Sequence, residues 1–301
     1  MNVECSLGLR GRFKLEVINS RGEVTKKLDW FANLITDHGL DLFSGLAPGA
    51  ERSQIFNGIL DRCSVGTSST PPAVTDGALG AEVAGSTSVF ASSSSIDAPG
   101  RYLSFQVTYS FGVGAATGNL SELGIGSNVS HLFSRALIKD GAGNPTTITV
   151  LADESLRVSY ELRVSQTILD YNVVVDGYTF VIRSAKVDSS TGDSTAWGNR
   201  LALAVSSAYF YSGAIGAITG RPAGSLGAVG SSSAVSYVMG SYTLTGALSA
   251  STTQATASIS ALAWTMGPGS WQASISPAIV KDNTKVVDIG VRLTWGRDGE
   301  L

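Results

Sequence analysis

Hydrophobic and polar residues alternate along two long stretches of the chain, 102–111 and 155–164. In the first stretch the apolar positions are Leu103, Phe105, Val107, Tyr109 and Phe111. In the second they are Leu156, Val158, Tyr160, Leu162 and Val164. Because successive side chains of a strand point to opposite faces, each stretch predicts a half-buried antiparallel strand with one wet face.

Turn residues predict how neighbouring strands are joined. The segment NSRG at 19–22 separates two strand-like stretches and predicts a hairpin, and Asp176-Gly177 predicts another. Two further strands are predicted in NLSELGIG and HLFSRALIK, which begin at Asn119 and His131. The glycines of GIGSN at 124–128 lack the strand-to-helix setting of a dinucleotide site, so we predict a turn there.

One helix is predicted, near residues 33–47. Its apolar positions form one stripe, Leu34, Ile35, Leu42, Phe43 and Leu46. Pro48-Gly49 is expected to end it. Gly39 weakens the propensity of this segment, so packing is expected to hold the helix.

These elements indicate an all-β, mainly antiparallel protein with two β-sandwich-like domains. Residues 1–165 are expected to form the first, with the helix packed on it. Residues 166–301 are expected to form a β domain rich in Gly, Ser and Ala, used for self-association or surface contact. Thirty-five glycines and a charged fraction of 15% suit short strands joined by many turns.

Charge along the chain bears on its partners. The net charge of -3 offers no basic surface for phosphates, so nucleic acid is not an expected partner. The N-terminus carries charges where a secretory signal needs an apolar core, so export by that route is not expected. No run of 18 apolar residues occurs, so membrane insertion is not predicted. From Pro222 to Val280 no Asp, Glu, Lys or Arg occurs. We expect other copies of the chain to cover this tract, the alternative being a surface kept wet by Ser and Thr.

Candidate chemistry is sparse. Cys5 and Cys63 are predicted to be reduced thiols, and with His38 and His131 they make no convincing zinc site. The best carboxylate pair, Asp153-Glu154, lies where a solvated turn is expected. Capping and solvation account for the acidic residues near the helix, Asp29, Asp37 and Asp41. We therefore predict no catalytic, cofactor-binding or metal-binding residues.

Large aromatic rings are concentrated in the second half of the chain. They are Tyr209, Phe210, Tyr211, Tyr237, Tyr242, Trp264 and Trp271. Exposed rings beside small polar residues would suit sugars or proteins, whereas the core of a sandwich uses the same residues. The pattern leaves both roles open.

The stretch CSVGTSSTPPAVTDGAL, residues 63–79, ends a predicted strand with two prolines. Strands resume after Arg101 and are needed to complete the sheet begun before it. The stretch is therefore predicted to be a stiff loop within the first domain rather than a linker between domains. A proline-rich ligand segment is the alternative, although PxxP spacing is absent.

Four segments, in matching order over roughly residues 10–165, resemble structural proteins of tailed bacteriophages. VGTSSTPPAVTDGAL resembles a VGTG-T-x-P-x-x-x-D-x-x-L element, and WFANLITDHGLDLF resembles an N-L-I-T-x-x-G-L-D helix entry. VTYSFGVGAATGNLSELGIG is similar to F-x-x-G-x-x-x-G-N-[IL]-x-E-[LIV]-G-[VI]-G. LFSRALIKDGAGNPTTITVLADESLRVSYELR resembles the strand-turn-strand block that follows in those proteins.

The resemblance implies a non-enzymatic virion component, made in the host cytoplasm and located in the tail as a fibre, tail-tip or baseplate-attached protein. It implies a symmetric homo-oligomer, for which a homotrimer is our expectation, bound to other phage virion proteins and contacting a bacterial surface receptor. A head fibre, collar or capsid decoration protein is an alternative of the same class. A polysaccharide-binding or depolymerising module is an alternative of another class.

Overall fold

The computed structural model describes residues 2–45, 58–97, 102–128, 131–166, 170–185, 205–217, 220–233 and 237–298. Strands hold 61% of these described residues and helices 4%, which confirms the all-β class. The chain divides into two compact units. The N-terminal unit comprises 9–96 and 103–164, and the C-terminal unit comprises 1–8, 97–102 and 165–301.

The N-terminal unit contains one helix, α1, among the described residues, together with two main sheets. Its elements are β1 (Asn2–Ile18, whose first residues belong to the C-terminal unit), β2 (Val24–Ala32), β3 (Leu34–Ile35), α1 (Asp37–Phe43), β4 (Arg62–Gly66), β5 (Glu82–Ser86), β6 (Val89–Asp97), β7 (Tyr102–Phe111), β8 (Gly118–Leu120), β9 (Glu122–Asn128), β10 (His131–Leu137), β11 (Ile148–Val150) and β12 (Ser155–Gln166). One sheet has the order β1-β12-β7-β6, with β2 beside β1. The other has the order β3-β10-β9-β4-β5, and β8 pairs with β11.

The two alternating stretches form β7 and β12, as predicted. All ten of their apolar positions are buried. On the opposite face, Thr108 and Ser159 share a hydrogen bond of 2.9 Å between neighbouring strands. The inward face continues into the core of the unit, where the Tyr109 hydroxyl donates to the Leu60 carbonyl and Asn33 donates to the Tyr160 hydroxyl at 3.1 Å.

Both hairpins predicted from turn residues are confirmed. β1 and β2 pair antiparallel around 19–23, where the Asn19 side chain accepts from the backbone of Arg21 and Glu23 at 2.9 and 3.0 Å. The second hairpin turns at Asp176-Gly177 with φ values of 50° and 83°. Positive φ at both central residues is the conformation that matches the twist of two paired strands.

The prediction of one helix over 33–47 is wrong at its start. Leu34 and Ile35 form β3, which pairs antiparallel with β10. The helix begins only after Thr36, whose side chain accepts from the Gly39 amide at 2.8 Å and donates to the Leu132 carbonyl at 2.7 Å. Strand pairing and this N-cap outweigh the helical stripe. Residues 46–49, which include Leu46 and the predicted stop, lie outside the described residues.

The prediction that GIGSN forms a turn is also wrong, because residues 124–128 belong to β9. Their glycines permit close backbone approach instead. A Cβ at Gly126 would overlap the carbonyl oxygen of His131, and one at Gly124 would lie 3.0 Å from the carbonyl oxygen of Ser134. Tight pairing of β9 with β10 therefore explains these glycines.

The C-terminal unit also consists of antiparallel strands. They are β13 (Tyr171–Val175), β14 (Tyr178–Ser184), β15 (Val205–Tyr211), β16 (Ser225–Ala228), β17 (Gly230–Ser233), β18 (Thr243–Ala250), β19 (Ser258–Met266), β20 (Gly269–Val280) and β21 (Val287–Arg297). One sheet has the order β13-β14-β20-β19-β15-β16. The strands β17, β18 and β21 pair in that order, and β21 lies beside the first residues of β1. Trp264 and Trp271 lie opposite each other across β19 and β20, with ring centroids 6.2 Å apart, at the centre of the core.

Residues 215–217, which precede the uncharged tract, cover part of the sheet that the tract contributes to this unit. Gln272 is fully buried on β20, and its side chain accepts from the Gly216 amide at 2.8 Å and donates to the Ala217 carbonyl at 2.8 Å. Tyr211, Ala261 and Ala263 form an apolar cluster against which Tyr209 and Ile215 pack. The segment 214–217, which has no regular structure, is thus held on a sheet face by Gln272 and a few apolar contacts.

Candidate functional site

The Thr-Pro-Pro loop, residues 67–81, leaves the sheet where β4 ends and returns where β5 begins. Its prolines, Pro71 and Pro72, fix an extended backbone and remain outside the core. Just after them the Ala73 amide donates to the Asp76 carboxylate at 2.8 Å, which closes a short turn. Asp76 thereby faces the interior side of the loop.

Arg135 of β10 holds the loop from below. Its side chain is 3% exposed, and it forms an ion pair of 2.7 Å with Asp76 and another of 2.7 Å with Glu122 of β9. A further hydrogen bond of 3.0 Å goes to the Thr70 carbonyl. Because a planar guanidinium presents several donors in a fixed fork, one arginine can bind two carboxylates and a carbonyl together.

Glu122 completes the network from the strand beside β10. Its side chain is fully buried, and besides Arg135 it accepts from the backbone amides of Ser68, Gly80 and Ala81 at 3.3, 3.0 and 2.7 Å. A buried carboxylate needs such partners to remain charged. Glu122 therefore ties both ends of the loop to the sheet.

Two backbone contacts fasten the middle of the loop. The Asp37 amide at the start of α1 donates to the Val74 carbonyl at 2.7 Å, and the Leu132 amide of β10 donates to the Gly77 carbonyl at 3.3 Å. The loop is thus tied to the sheet and to α1 within the N-terminal unit. The prediction of a loop inside that part of the chain, rather than a linker between domains, is confirmed.

The network has the chemistry of a clamp rather than of a reaction centre. Burial alone lowers the pKa of Arg135, but hydrogen bonds to Asp76 and Glu122 raise it, and the net direction is upward. The guanidinium thus stays charged. Each acid is engaged by several donors, an arrangement that stabilises structure and supplies no poised general acid or base.

The carboxylate pair noted in the sequence is divided between two environments. Asp153 is exposed, whereas Glu154 is buried and accepts from the Leu151 amide at 2.9 Å and from Lys26 at 3.3 Å. The Leu151 hydrogen bond is the first reason that the pKa of Glu154 is lowered. Since a catalytic acid needs a raised pKa, Glu154 is suited to holding its turn and not to protonating a leaving group.

The acidic residues around the helix also have structural settings. Asp29 pairs with Lys27 at 3.1 Å on the surface of β2. Asp37 lies in the first turn of α1, where a negative charge complements the helix dipole. Asp41 is buried within the same helix.

The histidines and cysteines do not assemble a metal site. The rings of His38 and His131 lie 4.9 Å apart, and both cysteines are free and buried. Among the described residues, no three His, Cys, Asp or Glu side chains converge as ligands. In that same part of the chain, no helix combines the length and apolar content needed for a membrane crossing.

The aromatic residues of the second half divide between core and partly covered positions. Phe210, Tyr211, Trp264 and Trp271 are buried. Tyr209, Tyr237 and Tyr242 are half-buried, and Tyr237 stacks on Trp295 at 5.7 Å. Core filling is therefore the role of the four buried rings.

The roles of Glu122 and Arg135 were missed in the sequence, although both lie in the segments that carry the phage resemblance. A signal was present, because each is a single charge within an apolar strand. All four resembling segments contribute a residue to the contacts that hold the Thr-Pro-Pro loop. These residues are Asp37, Asp76, Glu122 and Arg135.

Comparison of the chain with protein-family models, with curated proteins and with solved structures gives no match.

Proposed function

We propose that this protein is a non-enzymatic structural component of a tailed-phage virion, located in the tail as a fibre, tail-tip or baseplate-attached protein. It acts by assembly. In this proposal the N-terminal unit docks on the particle, and the C-terminal unit associates with copies of itself and contacts the bacterial surface. A head fibre, collar or decoration protein is the alternative position on the particle.

The observation that carries the proposal is the Asp76–Arg135–Glu122 network. Its members come from the segments that resemble phage structural proteins, and both acids lie within hydrogen-bond distance of Arg135. A resemblance of scattered motifs is easily accidental. It gains weight when residues of separate segments share one network, since burying Glu122 and Arg135 requires their partners together.

Self-association is supported by the uncharged tract from Pro222 to Val280. In the described part of this tract three large apolar side chains are exposed, namely Val238 (71%), Met239 (51%) and Val280 (66%). Copies of one chain can approach through an uncharged surface without like-charge repulsion. A homotrimer fits the threefold or sixfold symmetry expected around a tail axis.

Labelling of particles tests the proposal. Virions are prepared from the bacterial cells that carry the gene for this protein. An antibody raised against the purified protein is applied to them, and the label is located by electron microscopy. Label on the tail is expected, and label on the head moves the protein to the alternative position. Unlabelled particles, with the antibody still recognising the free protein, contradict a virion role. Release of reducing sugar from host polysaccharide by the pure chain would contradict the non-enzymatic part.

A further inference from the structure

A charged cleft lies on the outer face of the first sheet of the N-terminal unit, away from the Arg135 network. Its volume is about 170 Å³, and its lining includes Arg10, Arg12, Trp30, Glu161 and Arg163. Three arginines against one glutamate leave a net charge of +2 in the lining. The chain as a whole is acidic, at -3, so this local excess of positive charge is set by the fold.

Strand geometry brings these residues together. Arg10 and Arg12 are two residues apart on β1, and Glu161 and Arg163 are two residues apart on the neighbouring β12. Positions i and i+2 of a strand share one face, so all four side chains emerge from the same side of the sheet. Trp30 reaches the cleft from β2, on the other side of β1.

Glu161 orients two of the arginines. It accepts from Arg12, from Arg163 at 3.2 Å and from Ser104 at 2.7 Å, and its side chain is only 8% exposed. Burial alone raises the pKa of Glu161, but the Ser104, Arg12 and Arg163 hydrogen bonds lower it, and the lowering prevails. The carboxylate is therefore charged and fully engaged, and it holds the arginines in place before any ligand arrives.

Positive charge remains available at the cleft. Arg12 donates to Glu161 through Nε, and its guanidinium carbon lies 4.6 Å from the centroid of the Trp30 ring. This stacking orients the two Nη groups of Arg12. Within the described part of the chain, no carboxylate forms an ion pair with Arg10. Guanidinium groups bind a carboxylate through paired hydrogen bonds, and an indole offers an apolar wall to the body of the same ligand.

We propose that this cleft binds one acidic sugar residue, with its carboxylate on the arginines and its ring beside the stacked side chains of Trp30 and Arg12. The cleft holds about one sugar ring, which is smaller than a typical drug-sized pocket of roughly 300–1,000 Å³. An acidic peptide would satisfy the arginines but would make no use of the indole wall. The inference concerns the purified protein and does not depend on the virion assignment.

The test compares a trisaccharide of galacturonic acid with its methyl ester, which blocks the carboxylates and keeps the rings. Binding is measured by calorimetry at low salt, and the indole N–H signals are followed by NMR. The acid is expected to bind weakly, with a dissociation constant on the order of 1 mM, and to weaken as salt rises. Of the five tryptophans, Trp30 is expected to shift.

Matched variants locate the site. Arg10→Gln and Arg163→Gln are each expected to weaken binding roughly tenfold, because each removes a charged hydrogen-bond donor. Arg21→Gln makes the same charge change in the exposed β1–β2 turn and should leave binding unchanged. Since Arg163 is 25% exposed and Arg10 is only partly buried, both variants should fold, which circular dichroism checks.

Four results would overturn the inference. The ester could bind as well as the acid, or the cleft variants could bind as well as wild type. A glutamate-rich peptide could bind through the same arginines while the acidic sugar does not, which would replace the proposed ligand class. Absence of acid binding at ten times the expected dissociation constant also rejects the site.

Discussion

Replacing Arg135 by Met tests whether the buried network holds the Thr-Pro-Pro loop. The substitution removes two ion pairs of 2.7 Å and the hydrogen bond to Thr70, and it leaves the fully buried Glu122 without its arginine partner. Removing one partner of a buried pair typically costs about 3–5 kcal/mol, because the remaining charge is uncompensated. We expect a loss of that size in the free energy of unfolding of the N-terminal unit.

The assay is urea unfolding measured by hydrogen-exchange mass spectrometry of β7 and β12 peptides. Without urea, the amides of Ser68, Gly80 and Ala81 should also lose protection from exchange in the Arg135→Met variant, because they donate to Glu122. Lys27→Met is the control, since it breaks the surface pair with Asp29 and should cost no more than about 1 kcal/mol.

A second variant separates charge from packing. Adding Glu122→Gln to Arg135→Met removes the stranded charge while keeping an oxygen for the three amides. The double variant is expected to be more stable than Arg135→Met alone. The reasoning is refuted if Arg135→Met stays within about 1 kcal/mol of wild type, or if it loses stability while the loop amides keep their protection.

Three further predictions concern other residues. Gly39→Ala should destabilise by roughly 1–3 kcal/mol in urea unfolding, because its Cβ would overlap the Phe133 carbonyl; a gain in stability, as at an exposed helical glycine, would contradict this. Burial, followed by the charge of His131, lowers the pKa of His38 from 6.5, so its contribution to stability is present above that pH and is lost as pH falls. His38→Asn should therefore flatten the decline in stability between about pH 7 and pH 5.5, and an unchanged decline would refute the assignment. Burial raises the pKa of the Cys5 and Cys63 thiols, so a thiol reagent should label neither until denaturant is added, whereas labelling of the native protein would contradict their burial.

The strands of this fold could be predicted because their pattern is local. Alternation at 102–111 and 155–164 places every second residue in the core, and Asp176-Gly177 fixes a hairpin through backbone conformation alone. None of these inferences requires knowledge of a distant partner. The described structure agrees with each of them.

The errors arose where a distant partner decides the outcome. Leu34 and Ile35 match a helical stripe, but pairing with β10 makes them a strand. The glycines at 124 and 126 resemble turn residues, but the closeness of β10 requires them within a strand. Local propensity is a weak prior wherever tertiary contacts compete with it.

The buried network could not be derived from spacing. Asp76, Glu122 and Arg135 are separated by 46 and 13 positions, and charged residues are most often found on the surface. Only the fold shows that one arginine binds both acids. The arginine cleft was missed for the same reason, since a net charge of -3 describes the whole chain and not one sheet face.

The central claim is that this chain is a structural part of a virion, and counting it per particle tests that claim most directly. Particles are purified through two density gradients, and peptides of the chain are quantified by mass spectrometry against a major capsid protein. The account predicts a constant number per particle across the gradient, in a multiple of three. Peptides that are absent from the particle fractions, or that vary independently of the capsid protein, would contradict it.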